Sequence, residues 1–130
     1  MKKLLLPLAL VLLLLSACGQ ATEEKQEATY MQITAQEAKE IMDTQTGYVI
    51  LDVRTQEEYD EKHIPGAVLI PDYEIRDRAE NELTDKAQTI LVYCRSGRRS
   101  KNAAQALAEL GYTDVREFGG IIDWPYAVEP

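Results

Sequence analysis

Three short stretches along the chain are dominated by apolar residues: Tyr48–Asp52 (YVILD, an apolar run ending in an acid), Ala67–Ile70 (AVLI) and Thr89–Tyr93 (TILVY). Runs of four or five residues bounded by polar ones predict strands buried on both faces, as in a parallel sheet. A shorter run, Asp114–Phe118, predicts a fourth strand. Between them the apolar positions recur at helical spacing. Thr34 opens one such segment with Glu37 three residues on, a capping box, and Ala38, Ile41 and Met42 supply its stripe. Thr55 opens a second, again with an acid at Glu58. Ser100 to Leu110 places Ala103, Ala104, Leu107 and Leu110 on one face, and Gly111 ends it. Strands alternating with helices imply βαβ units, an α/β fold and a mostly parallel sheet with right-handed crossovers. Ligands in such sheets bind beyond the carboxyl ends of the strands, which directs attention to the residues after Tyr93.

The N-terminus breaks this pattern. Lys2 and Lys3 precede Leu4–Leu15, a run apolar except for Pro7. A charged start, an apolar stretch and then small residues read as a secretory signal peptide over residues 1–17. The run is shorter than the roughly 20 residues that span a bilayer. Leu15-Ser16-Ala17-Cys18 resembles the bacterial lipobox, in which the cysteine is lipidated and becomes the first mature residue. Two acyl chains there suffice for stable anchoring. Residues 18–29 (CGQATEEKQEAT) then form a flexible acidic tether, and residues 30–130 a single domain. The expected location is the bacterial cell envelope, lipid-anchored on its periplasmic or extracytoplasmic face. Gly19, rather than aspartate, after the cysteine favours the outer membrane where two membranes exist.

Charge narrows the chemistry. The chain of 130 residues carries 14 basic and 22 acidic residues, a net −8. Loss of residues 1–17 leaves 12 against 22, a net −10, so nucleic acid is not an expected partner. One histidine, His63, and two distant cysteines, Cys18 and Cys94, offer no zinc spacing. Against this acidic background, residues 95–101 hold four basic groups and no acid. They follow Cys94 at the junction of a buried strand and a helix. A cysteine there faces the positive end of a helix dipole and a curl of backbone N–H groups, which favour the reactive thiolate. Gly97 allows the loop a conformation that a side chain would hinder.

Four motifs together resemble the single-domain rhodanese family over about residues 30–126. They are Leu51-Asp52-Val53-Arg54 with Glu57-Glu58-Tyr59; His63-Ile64-Pro65-Gly66-Ala67; Cys94-Arg95-Ser96-Gly97-Arg98-Arg99-Ser100; and Gly119-Gly120-Ile121 with Trp124. Lys62 departs from the glycine common before the histidine. The resemblance implies a three-layer α/β fold with helices on both faces of the sheet, and a monomer. It implies a sulfurtransferase in which Cys94 takes sulfane sulfur from a small anionic donor such as thiosulfate. Cyanide or a thiol then accepts the sulfur, with no metal or organic cofactor. Arg95, Ser96, Gly97, Arg98, Arg99 and Ser100 would bind the donor, with Arg54 helping to shape the pocket. His63 is expected to be structural and Trp124 to belong to the core.

Two other classes are open to such a loop. A related cysteine-dependent phosphatase or arsenate reductase would enclose five residues between cysteine and arginine. Cys94 to Arg99 encloses four, and a five-residue gap ends at Ser100, which lacks the guanidinium that grips phosphate. A non-enzymatic sulfur-carrying or sensing module would keep the fold, although such modules often lack the cysteine retained here.

Overall fold

The computed structural model describes residues 27–130. The expected signal peptide, Cys18 and the tether as far as residue 26 lie outside the described residues. The elements in chain order are β1 (Met31–Gln32), α1 (Ala35–Thr44), β2 (Val49–Asp52), α2 (Gln56–Glu61), β3 (Val68–Leu69), α3 (Ile75–Glu82), β4 (Ile90–Cys94), α4 (Arg98–Glu109) and β5 (Val115–Gly120). Single 3-10 turns at Asp72–Glu74 and Ile121–Asp123 precede α3 and follow β5.

The five strands form one sheet in the order β1-β5-β4-β2-β3, parallel at every pairing. All five residues of β4 are buried, which is why its sequence shows no alternation. Its side chains still point to opposite faces. Val92 and Cys94 join Leu51, Val53 and Ile90 under α3 and α4, while Leu91 and Tyr93 join Ile50, Phe118 and Trp124 on the side of α1. Ala103, Ala104 and Leu107 press α4 onto the first face, and Ala38 and Ile41 seat α1 on the second. The α/β architecture is thus as expected, with a sheet that is wholly rather than mostly parallel.

Caps and turns set the element boundaries. Thr55 and Glu58 form a complete capping box on α2. The box expected on α1 is half made: Thr34 Oγ1 accepts the Glu37 N–H at 3.0 Å, but Glu37 takes the Thr34 hydroxyl hydrogen rather than the backbone N–H. Gly111 ends α4 in the left-handed region, at φ 98°, with Tyr112 N–H returning to Leu107 C=O. Two elements escape the apolar pattern. β1 has only two residues, and α3 (IRDRAENE) buries just Ile75 and Ala79 while Arg78 bonds Glu74 and Glu82 along its solvent side. The helix expected over Ser100–Leu110 starts two residues earlier, at Arg98, which makes Gly97 its N-cap.

Candidate active site

The carboxyl ends of β2, β4 and β5 converge on one rim of the sheet, and Cys94 is the last residue of the central strand. It is 1% exposed. Residues 95–97 curl back so that Gly97 N–H donates to Cys94 Sγ at 3.0 Å. That turn needs φ 103° at Gly97, a left-handed conformation without cost to glycine. Ser100, in the first turn of α4, places Oγ 3.3 Å from the same sulfur. The first N–H groups of a helix have no intrahelical acceptor, so the start of α4 presents donors beside the cysteine.

The loop is braced from beneath by the Gly119-Gly120 pair. A Cβ on Gly120 would lie 1.9 Å from Arg95 O and 2.5 Å from Ser96 N, so only glycine allows β5 this close to the loop. Ile122 N–H donates to Arg95 C=O at 3.2 Å just beyond. The ladder between β4 and β5 is irregular between Val92 and Cys94, which turns the last residue of β4 opposite Gly120.

The guanidinium of Arg99, one of the expected donor-binding groups, is gripped by Glu58 of α2 through two bonds of 2.6 and 2.9 Å. The Arg99 bonds, assisted by the N–H and hydroxyl of Thr55, pull the Glu58 carboxyl down from 4.5 to about 2, against the opposing effect of burial. Arg99 is in turn held more firmly charged by Glu58. The pair ties α2 to α4 across the rim. Arg95 and Arg98 are exposed and have no carboxylate partner among the described residues. They therefore supply the free positive charge of the site.

Arg54 is 3% exposed and also committed. Burial opposes its charge, but bidentate bonds to Asp52 (3.0 and 2.7 Å) outweigh this and hold the guanidinium charged. Its Nη2 also donates to Lys62 C=O at 2.7 Å. Tyr93 hydroxyl donates to Asp52 at 2.6 Å and accepts Ile64 N–H at 3.0 Å. This buried group ties the His63-Ile64-Pro65-Gly66-Ala67 turn to β2 and β4. Arg54 nevertheless lines, with Glu58, Glu61, Lys62, Arg95, Ile121 and Ile122, a cleft beside the loop. His63 is structural: its ring stacks on Tyr59 at 3.9 Å and its backbone bridges to Glu129. Trp124 is 9% exposed and packs against Phe118 in the core.

The structure thus gathers Cys94, Arg95, Ser96, Gly97, Arg98, Arg99 and Ser100 in one turn, with Arg54 at its flank. Sequence reading missed Glu117, a buried acid on β5 whose Oε1 accepts the Ser100 hydroxyl at 2.7 Å. Alternation would have found it, because Glu117 shares the face of Val115, which packs under α4.

A family model described as Rhodanese-like domain matches residues 34–125. Thiosulfate sulfurtransferase PspE of Escherichia coli is 42% identical over 73 residues, which are 56% of this chain and 70% of that protein. Thiosulfate sulfurtransferase GlpE of Coxiella burnetii is 36% identical over 96 residues, 73% of this chain and 87% of that one. Other relatives are longer, and the chain spans half or less of their length. Among solved structures, a rhodanese with anions from E. coli superposes with a TM-score of 0.59 at 38% identity, over 63% of this chain and 96% of that one.

Proposed function

Because the chain belongs to the rhodanese-like domain family, we propose that it is a sulfurtransferase working through a persulfide on Cys94. The observation that carries this reading is the cysteine at the end of the central strand, its sulfur receiving the Gly97 N–H inside a four-residue loop closed by Arg99. Cys94 thiolate attacks the outer sulfur of thiosulfate. A new S–S bond forms, the donor's S–S bond breaks, and its electron pair leaves with sulfite. The terminal persulfide sulfur carries one negative charge, held by the loop and first-turn N–H groups of α4. A thiolate or cyanide then attacks that terminal sulfur and restores Cys94 thiolate. Two successive transfers give ping-pong kinetics. Arg95 and Arg98 draw in the dianionic donor. The relatives named as thiosulfate sulfurtransferases support this donor class.

Mass spectrometry after thiosulfate treatment tests the proposal. The Cys94 peptide is expected to gain one sulfur, which cyanide removes as thiocyanate, and Cys94→Ser is expected to do neither. An unmodified Cys94 under these conditions would overturn the assignment.

We also propose that the protein is exported and held on the cell envelope by lipid on Cys18, a reading supported by the Leu4–Leu15 run and the Leu15-Ser16-Ala17-Cys18 motif. Cells making the wild type should incorporate acyl label and place the protein in the membrane fraction, and Cys18→Ala should abolish the label. Unlabelled, soluble wild-type protein would rule this out.

A further inference from the structure

Glu117 is 2% exposed and plays no part in the transfers described above. Its Oε1 accepts the Ser100 hydroxyl at 2.7 Å and the Gly119 N–H at 2.8 Å. The nearest cation, Lys101 Nζ, stands 3.9 Å from Oε2. Ser100 Oγ has three oxygen acceptors within reach, the others being Gly97 C=O at 3.0 Å and Gly119 C=O at 3.4 Å. A serine hydroxyl has one hydrogen to give. The carboxylate is the shortest of the three contacts and is charge-assisted, so it takes that hydrogen. The Ser100 oxygen then turns its lone pairs toward Cys94 Sγ, 3.3 Å away. It can accept a hydrogen from a thiol there and offers none to a thiolate.

We infer that Glu117 is a positioning residue for the nucleophile: by engaging the Ser100 hydroxyl it favours Cys94 as a hydrogen-bonded thiol and restrains the thiolate. This rests on reading Cys94 as the nucleophile. The restraint is balanced, because Gly97 N–H and the start of α4 favour the thiolate, as does the charge of Arg99. The other charged groups around the site are Arg95 on the loop, Arg98 and Lys101 on α4, Glu58 of α2 bound to Arg99, Asp72 near Arg99, and Arg54 at the flank, paired with Asp52. Just after β1, the Ile33 N–H donates to the Glu117 carbonyl at 2.9 Å. Full thiolate character then requires the Ser100 hydroxyl to rotate from Glu117 to Sγ. An idle site is shielded from indiscriminate electrophiles, and a bound anionic donor meets a sulfur still flanked by N–H groups.

Iodoacetamide tests this in the full-length protein, because thiolate displaces iodide without any sulfur transfer. Alkylation of the Cys94 peptide is followed by mass spectrometry across pH. Glu117→Gln keeps the shape and an oxygen for the Gly119 N–H but removes the charge that makes the carboxylate outcompete other acceptors of the Ser100 hydroxyl. Its alkylation midpoint is expected about one pH unit below that of wild type, with alkylation below the midpoint about tenfold faster. In a Ser100→Ala background the same substitution is expected to lose at least half of this effect. A midpoint in folded Glu117→Gln that is unchanged or raised overturns the inference, as does an effect undiminished without Ser100. Should Glu117→Gln fail to fold, Ser100→Ala alone decides: the inference requires its alkylation to be faster than that of wild type. A negative result here leaves the persulfide measurement standing, and the reverse also holds.

Discussion

Replacing Glu58 by glutamine isolates the charge that joins α2 to α4. Glutamine keeps an oxygen for the Thr55 N–H of the capping box, so the helix start survives while the bidentate grip on Arg99 is lost. The fall of the Glu58 carboxyl from 4.5 to about 2 sets a ceiling of about 3 kcal/mol on its contribution at neutral pH. The two side chains are 26% and 30% exposed, so screening by solvent brings the expected loss to about 1–2 kcal/mol. The sign follows from the direction of the shift. The folded state holds Glu58 ionised more strongly than the unfolded chain does, so this stability is present above pH 4.5 and drains away as the pH falls towards 2. Urea unfolding followed by fluorescence of Trp124, the sole tryptophan, measures it from pH 7 down to pH 2.5. Glu58→Gln should be the less stable by that amount at pH 7, and the two curves should converge in acid. A gap of the same size at pH 2.5, or none at pH 7, would refute the electrostatic account.

Gly120→Ala should push Arg95 and Ser96 out of place, costing about 1–3 kcal/mol and at least tenfold in sulfur transfer; wild-type kinetics with a wild-type urea midpoint would contradict the packing argument. Tyr93→Phe strands Asp52 and the Ile64 N–H without their shared partner, and should lower stability by about 1–3 kcal/mol in thermal unfolding. Activity should survive that change, since the hydroxyl lies on the face away from Cys94. Arg95→Ala and Arg98→Ala should each raise KM for thiosulfate about three- to tenfold while sparing an uncharged persulfide donor. Equal losses with both donors would make the arginines structural.

What the sequence reveals follows the strength of burial. β2 and β4 announce themselves because both faces are covered, and Val49–Asp52 and Ile90–Cys94 each lie within one residue of the expected runs. α3 hides because Ile75 and Ala79 are too few to make a stripe, and its solvent face is held by arginine–glutamate pairs. β1 hides because two residues cannot display a period. At the site, Cys94 and its basic loop are contiguous and so legible in one line of sequence. Glu58, 41 positions from Arg99, reads locally as a helix cap. Its second role depends on the α2 and α4 starts meeting at one rim, which only the strand order reveals. Alternation with Val115 marks Glu117 as inward-facing, but its contact with Ser100, 17 positions earlier, depends on α4 lying over β5.

The position of β4 in the strand order also governs how the molecule opens. β1 and β3, two residues each, form the edges, and their amides can exchange with solvent through small, frequent fluctuations. β4 is bonded on both sides, to β2 and β5, and covered on both faces. Its amides can be released only when the whole sheet comes apart. Cys94, the proposed nucleophile, is therefore expected to ride on the slowest-exchanging of the described segments, although the loop after it is short and surface-lying. Fraying at either margin leaves Cys94 in register with Gly120, and deuterium uptake in β4 should rise only along with the loss of catalysis.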